Sequence, residues 1–299
     1  MLPITILIPT YNRAASLEAV WPCYVSNGLV EKIVVVNDGS TDGTSDLVRR
    51  LEKSSSTKVQ LIEHSKCLGQ QTSRISAIAE AQTEWILFGE DDVWLAPDYC
   101  STLLCEAHRL GADIIAGRLV TVRVPNRFYP ELIQDNLSGP GQEDPVFDMS
   151  SLTANFAIRA TGPVEAPHLH TIALIRRSIF DHMQFDTRYR GNAAREETDF
   201  YLSARTLGYR LYFTPATACY HLRGPVCRSG GQRTNRLAFE YFTIRNTLYL
   251  VSKHWSLLKR EHGFKGTPFT WTVGFSARRA WRQLSRVLRG DYKSSLKGF

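Results

Sequence analysis

Three consecutive carboxylates, Glu90, Asp91 and Asp92, are the strongest chemical signal in the sequence. They follow the apolar run Trp85–Phe88, which predicts a buried strand that ends in acid at the edge of a sheet, where open α/β sheets bind their ligands. Adjacent carboxylates raise one another's pKa unless a cation lies among them. Because Mg²⁺ binds one or two carboxylates together with substrate phosphates, the triplet is typical of a metal–phosphate site, and the alternative is a solvated acidic turn.

Apolar runs alternate with helical patterns along most of the chain. This alternation predicts βαβ units and an α/β fold with a mainly parallel sheet flanked by helices. Strands are predicted at residues 4–8, 33–36, 59–62, 85–88, 114–122, 172–175, 210–213 and 218–221. Helices are predicted at residues 15–26, 45–53, 68–81, 98–110, 177–182, 196–207 and 233–254. Residues 125–167, rich in Pro, Gly, Asn and Asp, are expected to form a long loop that ligand orders.

The composition is that of a soluble globular chain. Of its 299 residues 43% are apolar and 22% charged, which suits one large α/β domain or a domain with an appendage. The start of the sequence lacks the pattern of a signal peptide and no apolar run could span a bilayer, so a cytoplasmic location is expected. Six cysteines without paired spacing argue against a zinc site or a disulfide framework.

Charge divides the chain into two parts. Residues 1–222 hold 20 Lys and Arg against 26 Asp and Glu, whereas residues 223–299 hold 16 against 3. The basic tail predicts an anionic partner, either a substrate phosphate, nucleic acid or a membrane surface. Nucleic acid is disfavoured, because the tail lacks interleaved aromatic residues on a recognisable fold and the acidic triplet would be left unexplained.

A helix over residues 277–289 of this tail is predicted to be amphipathic. One side gathers the arginines Arg278, Arg279, Arg282, Arg286 and Arg289. The other side gathers the apolar residues Ala277, Ala280, Trp281, Leu284, Val287 and Leu288. Such a helix suits the cytoplasmic surface of an anionic membrane, which would make the protein peripheral. The alternative is a terminal helix that packs its apolar face on the catalytic domain and shows its arginines to water.

Four motifs in one order resemble the family 2 glycosyltransferases, inverting enzymes with the GT-A nucleotide-sugar fold. They are Pro9-Thr10-Tyr11-Asn12-Arg13, Val36-Asn37-Asp38-Gly39-Ser40-Thr41-Asp42, Glu90-Asp91-Asp92 and Glu196-Glu197-Thr198-Asp199. The likeness spans about residues 3–222. It implies a GT-A catalytic domain over residues 1–222, with a nucleotide-binding half (1–122) and an acceptor half (123–222). A basic helical extension (223–299) follows.

The resemblance implies a nucleotide site close to the N-terminus. The base and ribose would be lined by Pro9, Thr10, Tyr11 and Arg13. Asp38 would accept a hydrogen bond from the base, since a uracil N–H is a donor that a carboxylate can accept, or it caps the next helix. Arg74, in the helix that precedes the acidic strand, would lie near the phosphates or form a surface ion pair.

The resemblance also implies a Mg²⁺ or Mn²⁺ site. The family's Asp-x-Asp motif falls on the triplet, so Asp92 is implied to bind the metal, with Glu90 as a longer second ligand and Asp91 as a contact for ribose or sugar hydroxyls. His221, at a strand end, is implied as a further ligand, or it is hydrogen-bonded structure. Arg223 and Arg228 could pair with phosphate oxygens.

An inverting sugar transfer needs a general base that takes the proton of the acceptor hydroxyl. The family's acidic pair before a helix is Glu196-Glu197 here, and Glu197 falls at the position of the base. Both acids could instead favour the positive end of the following helix. Asp199, two residues further on, would orient its neighbours at the substrate site.

The resemblance therefore implies a metal-dependent enzyme that moves a sugar from a UDP-, dTDP- or GDP-linked donor to a hydroxyl acceptor. The acceptor would be a glycan or a lipid-linked molecule, in polysaccharide or glycolipid assembly. The alternative is an inactive module that binds sugar nucleotides or anionic glycans, in which Glu90 and Glu197 mark lost chemistry.

Overall fold

A computed structural model describes residues 2–123, 133, 141–224, 227 and 236–288, apart from the side chains of residues 236, 283 and 286–288. The chain forms two compact units. The first comprises Met1–Phe147, Ala154–Arg188 and Glu196–Arg233, and the second comprises Asp148–Thr153, Tyr189–Arg195 and Thr234–Phe299. The boundaries predicted from the sequence at residues 122 and 222 stay predictions.

A nine-stranded sheet lies at the centre of the first unit. Its strands, with two short paired strands β7 and β8, are β1 (Ile4–Thr10), β2 (Val30–Asn37), β3 (Lys58–Glu63), β4 (Trp85–Phe88), β5 (Val93–Leu95), β6 (Ile114–Arg123), β7 (Phe147–Asp148), β8 (Thr153–Ala154), β9 (Val164–Glu165), β10 (Ala173–Arg176) and β11 (Leu211–Arg223). The spatial order is β3-β2-β1-β4-β10-β6-β11-β5, with β9 beside β11. Strands β3, β2, β1 and β4 run parallel, so their carboxyl ends meet at one edge.

Helices cover both faces of this sheet. The helices of the first unit are α1 (Ala14–Val25), α2 (Thr44–Ser54), α3 (Gln70–Ala79), α4 (Tyr99–Leu110) and α5 (Glu196–Thr206). Alternate residues of β1 enter two separate apolar cores, with Ile6 and Ile8 in one and Leu7 in the other. Because such strands are apolar on both faces, they read in the sequence as continuous apolar runs, and the mixed α/β prediction is confirmed.

The second unit contains three helices, α6 (Arg236–Lys253), α7 (Trp255–His262) and α8 (Pro268–Leu288). Its own segment of residues 189–195 packs on α6: the Asn192 side-chain amide donates to the carbonyl of Phe239 at 3.1 Å and to Thr243 Oγ1 at 2.9 Å. None of the helices within the described ranges has both the length and the apolar character needed to cross a membrane.

Several predicted element boundaries differ from the structure. The predicted strands 210–213 and 218–221 form one strand, β11. Its register against β6 shifts between Phe213 and Ala218, where the strand is irregular. The sequence splits it because Pro215 cannot donate to a ladder. The helix predicted at 177–182 is a 3₁₀ helix, Arg177–Asp181. The described part of the predicted 125–167 loop, residue 133 and residues 141–167, contains β7, β8 and β9.

Two glycine positions confirm or explain where the chain turns. Gly208 has φ 89° and lies just beyond α5, where the helix predicted at residues 196–207 ends. Gly39 has φ 76°, and a Cβ on it would lie 2.5 Å from the carbonyl carbon of Lys66. The loop after β2 therefore touches the backbone of the loop before α3, which only glycine allows.

We expect Gly39→Ala to lower the free energy of unfolding by at least about 2 kcal/mol, because the left-handed conformation costs an L-residue about 1–2 kcal/mol before the overlap is counted. Urea denaturation measures the change. Gly43→Ala is the matched control, since Gly43 has φ −73° and open space around it, and it should cost about 1 kcal/mol or less. Equal effects of the two substitutions would show that the close approach of the loops does not matter.

Candidate active site

A cleft of about 190 Å³ opens where β1, β2 and β4 end. It is lined by Pro9, Thr10, Tyr11, Arg13, Asp38, Gln70, Ser73, Glu90, Asp91 and Asp92. The parallel register brings these loops together, because Leu7 of β1 lies opposite both Val34 of β2 and Phe88 of β4. Eight of these ten residues were proposed from the sequence as site residues, and the structure brings them to one cleft; Gln70 and Ser73 were missed.

Arg13 and His221 neutralise the end of the acidic triplet. A guanidinium nitrogen of Arg13 lies 2.5 Å from Asp92 Oδ2 and 3.4 Å from Asp91 Oδ1, and Nε2 of His221 lies 3.5 Å from the same Asp92 oxygen. His221 reaches this point because β11 pairs with β5, which places it opposite Val93. The resemblance implied that Arg13 lines the pocket of base and ribose. In the structure the guanidinium of Arg13 contacts the carboxylates of Asp91 and Asp92.

The three acids of the triplet differ in how readily they ionise. Burial, followed by the charge of Asp92, raises the pKa of both Glu90 and Asp91 to about 7. Burial acts in the same direction on Asp92, but the hydrogen bond and charge of His221 and the charge of Arg13 outweigh it and lower the pKa of that carboxyl. Asp92 is thus the member of the triplet that is held as a carboxylate. Repulsion among the three acids remains at the cleft.

The donor set suits a divalent cation that takes most of its ligands from a substrate. Within the described ranges, no three His, Cys, Asp or Glu side chains converge on one point as a complete protein cage. Asp92 and His221 supply a carboxylate oxygen and an imidazole nitrogen 3.5 Å apart beside surplus negative charge. Mg²⁺ and Mn²⁺ accept one or two such ligands when phosphates provide the rest, so the residues present fit the ion.

A buried arginine joins the triplet to the acidic pair. The fully buried side chain of Arg74 on α3 contacts Glu196 at 2.5 Å, Glu197 at 3.2 Å and Glu90 at 3.8 Å. Its guanidinium also lies 5.8 and 5.3 Å from the ring centres of Phe88 and Phe185. The surface ion pair considered for Arg74 is therefore wrong, since no part of the side chain reaches solvent and three carboxylates already surround it.

Glu196 and Glu197 occupy different environments. The side chain of Glu196 is 4% exposed and that of Glu197 32%. Burial raises the pKa of Glu196 to about 8 against the opposing charge of Arg74. Glu197 also accepts a hydrogen bond from the hydroxyl of Thr171, a residue that no sequence signal had marked. Of the two acids, Glu197 is the one that an outside molecule can reach.

Asp38 is buried and engaged by the protein. Its Oδ1 contacts His64 Nδ1 at 2.8 Å and accepts from the Leu68 N–H at 2.9 Å, and its Oδ2 accepts from the Gly69 N–H at 2.8 Å and from the Cys67 thiol at 3.1 Å. Burial acts to raise the pKa of Asp38, but these hydrogen bonds together lower it. A carboxylate has about four acceptor positions, so these four contacts account for them.

Asp38 does not cap the next helix, α2, so that alternative is wrong. Asp42 stabilises the start of α2 instead, because its Oδ1 accepts hydrogen bonds from the backbone N–H and the hydroxyl of Thr44. Asp38 fixes the turn that starts α3. His64 was missed because its partner lies 26 residues away, beyond the reach of a local pattern.

The remaining predicted site residues lie apart from the cleft lining. Asp199 is 2% exposed in the first turn of α5, so its burial supports the orienting role and not contact with a substrate. Arg223 is exposed at the end of β11, two residues beyond His221. Arg228 lies outside the described residues.

The sequence matches the model of the family described as Glycosyl transferase family 2 over residues 5–183. Among curated proteins, the chain is 22% identical over 272 residues to "Glycosyltransferase GlyA" of Streptococcus pneumoniae, covering 86% of this chain and 37% of that one. It is 21% identical over 221 residues to "GalNAc(5)-diNAcBac-PP-undecaprenol beta-1,3-glucosyltransferase" of Campylobacter jejuni, covering 71% and 66%. The chain thus spans about a third and about two thirds of the lengths of these two relatives.

Solved structures share the fold at low sequence identity. The mannosyltransferase PcManGT of Pyrobaculum calidifontis, in complex with GDP-Man and Mn²⁺, matches with a TM-score of 0.57 and 18% identity over 99% of this chain and 81% of that one. GalNAc-T7 with UDP, GalNAc and Mn²⁺ matches with a TM-score of 0.68 and 14% identity over 87% and 50%. Both likenesses support the GT-A architecture predicted from the motifs.

We expect Arg74→Met to lower the free energy of unfolding by about 3–5 kcal/mol, because it leaves two carboxylates of the acidic pair facing a site without their cation. Chemical denaturation measures the loss. Arg49→Met is the matched control: Arg49 lies 2.5 Å from Glu63 but is half exposed, so its loss should cost about 1 kcal/mol or less. A loss for Arg74→Met as small as that of the control would contradict the central role of the buried cluster.

Proposed function

The chain belongs to glycosyl transferase family 2, and on that basis we propose that it transfers a sugar from a nucleoside-diphosphate sugar to a hydroxyl acceptor with inversion of configuration. One observation carries the proposal: Glu197, the exposed member of the acidic pair, is tied through Arg74 to Glu90, which lines the cleft that the sequence motifs converge on. A candidate base and a candidate nucleotide cleft are thereby linked by one side chain.

In the proposed reaction, Glu197 accepts the proton of the acceptor hydroxyl while that oxygen forms a bond to the anomeric carbon. The bond from this carbon to the diphosphate breaks on the opposite face, so the electron pair leaves with the diphosphate and the configuration inverts. Arg74 and Thr171 hold Glu197 in place for this step. The neighbouring Glu196 is too deeply buried for the task and instead shares the charge of Arg74.

Negative charge grows on the diphosphate as it leaves, and the cleft offers it a cation in Arg13. Arg13 would exchange part of its contact with Asp91 and Asp92 for phosphate oxygens. A divalent cation, held by Asp92 and His221 when bound, would supply further neutralisation of that charge. Glu90 is turned towards Arg74, which favours Asp92 over Glu90 as the principal carboxylate ligand. Arg223 stays a candidate for phosphate contact.

The nucleotide is proposed to enter the cleft along the residues that follow β1. Thr10 and Tyr11 would face base and ribose, and Asp91 would face ribose or sugar hydroxyls. Because protein donors occupy Asp38, its proposed contact with the base requires that one of them, such as the Cys67 thiol, be displaced. Without such a displacement Asp38 acts by holding the start of α3 against the cleft.

The donor and acceptor classes rest on what similar proteins are described as binding. Structures that share the fold hold UDP, UDP-GlcNAc or GDP-Man, and one relative is described as acting on an undecaprenol-linked glycan. We propose a UDP-, dTDP- or GDP-linked sugar as donor and a glycan or lipid-linked acceptor at the cytoplasmic side of a membrane, in polysaccharide or glycolipid assembly.

A panel of sugar nucleotides with Mg²⁺ or Mn²⁺ tests the proposal through release of nucleoside diphosphate. An active transferase releases it from at least one donor, by slow hydrolysis without acceptor and faster with one. Saturable binding of a donor without any release would instead favour the inactive binding module.

For the base, we expect Glu197→Gln to reduce transfer by about two to four orders of magnitude with little change in donor affinity, since only the proton acceptor is lost. Glu196→Gln is the matched control, with a milder loss of transfer. Rates with saturating donor and acceptor measure both. A large loss confined to Glu196→Gln would contradict this assignment and identify Glu196 as the base.

For the metal, we expect Asp92→Asn to abolish turnover and to weaken Mn²⁺ binding in the presence of the donor's nucleoside diphosphate, while thermal unfolding stays cooperative. Electron paramagnetic resonance of Mn²⁺ reads the binding independently of activity. Asp46→Asn, on the exposed surface of α2, is the control. Near-normal turnover of Asp92→Asn at saturating donor would refute the assignment.

A further inference from the structure

Helix α8 exposes a continuous apolar stripe. Its members follow one another at helical spacing, and their exposed fractions are 66% for Phe269, 52% for Val273, 66% for Trp281 and 50% for Leu284. Ala277, in the middle of the stripe, is exposed as well. Large apolar side chains left in water over four turns of one helix mark a surface made for contact.

The opposite side of α8 is anchored within its own unit. Thr272 and Phe275 are buried there, and the guanidinium of Arg195 lies 5.6 Å from the ring centre of Phe275. Arg279 forms a forked ion pair with Glu240 of α6 at 2.5 and 3.1 Å. The sequence pattern groups Arg279 with the other arginines of one face, but in the structure Arg279 is paired with α6.

The alternative drawn from the sequence, in which the apolar face packs on the catalytic domain, stays a prediction. Trp281 and Leu284 of that face are at least half exposed. The side chains of residues 286–288 and Arg289 lie outside the described part. The sequence prediction did not extend the stripe to Phe269 and Val273, which lie before the segment that it marked.

Positive charge borders the stripe and no acid interrupts it. Arg278 and Arg282 are exposed, about 60° and about 100° around the helix from Trp281, and α8 contains neither Asp nor Glu. Two copies of the chain that met through this face would bring like charges together, so the charge pattern disfavours a second copy as the occupant. An anionic lipid surface complements both features, since it accepts apolar side chains at its acyl boundary and arginines at its phosphates.

We propose that α8 lies in the interface of an anionic bilayer, with Phe269, Val273, Trp281 and Leu284 in the acyl boundary and Arg278 and Arg282 at the lipid phosphates. The helix lies along the surface, because the charged side that holds Arg279 is fixed to α6. This inference is independent of the transfer reaction, so its test reads membrane binding and not turnover.

The test is co-sedimentation of the full chain with vesicles of phosphatidylcholine containing phosphatidylglycerol. Wild-type protein should bind, and Phe269→Ala/Trp281→Ala should bind at least about tenfold more weakly, because two large apolar side chains are lost. Arg278→Gln/Arg282→Gln should lose about fivefold for each arginine and lose most of its sensitivity to salt. Leu207→Ala removes an equally exposed leucine outside α8 and should bind as wild type does.

A second readout locates the helix. Brominated lipids should quench the fluorescence of wild-type protein on binding, and Trp281→Phe should remove that quenching while binding persists. Thermal unfolding confirms that each variant is folded. Absence of binding at low salt, equal binding of Phe269→Ala/Trp281→Ala and wild type, or a dimer in solution that the same double variant dissociates would each overturn the proposal.

Discussion

The candidate active site depends on one buried cation. Arg74 lies out of contact with water among carboxylates from two other elements, Glu90 after β4 and the pair at the start of α5, and between two phenyl rings. A buried guanidinium is tolerated only when opposite charge and hydrogen bonds replace its hydration, and the acids need the cation equally. The ion pairs of Arg74 therefore hold together segments that lie more than 100 residues apart in the sequence.

The same balance sets the ionisation of the acids around it. Each carboxylate is surrounded by others, and the available cations divide unequally: Arg13 and His221 go to Asp92, and Arg74 goes to the acidic pair. Burial is the largest cause of the raised pKa of Glu90 and Asp91, about 7 each, and it raises the pKa of Glu196 to about 8 even beside Arg74. At Asp92 the contacts of His221 and Arg13 outweigh burial and lower the pKa. Under the proposed function, a substrate phosphate would compete with Asp91 and Asp92 for Arg13.

The sequence predicted the parts of this site that local pattern controls. The resemblance implied roles for Asp38 and Asp92 in one site, and the rule that parallel strands place their carboxyl ends at one edge of a sheet gives the physical reason. The sequence predicted the strand at residues 172–175, but it could not predict that this strand, β10, runs antiparallel between β4 and β6. The place of Arg74 near the phosphates stays a prediction. Its contacts with Glu196 and Glu197 could not be predicted, because tertiary packing brings these residues together. The sequence predicted an amphipathic helix in the part of the chain that forms α8. It could not predict that Arg279 faces inward, because that depends on its ion pair with Glu240 of the neighbouring helix α6.

The thiol that contacts Asp38 has a practical consequence. Four of the six cysteines are buried, whereas Cys67 and Cys105 are exposed. Of these two exposed thiols, that of Cys67 lies 3.1 Å from Asp38 Oδ2, a residue that lines the cleft. An alkylating reagent can therefore reach one thiol beside the cleft and one on α4. The first would report on whatever occupies the cleft and the second on the reagent alone, so the protein carries an internal reference for its own chemical footprinting.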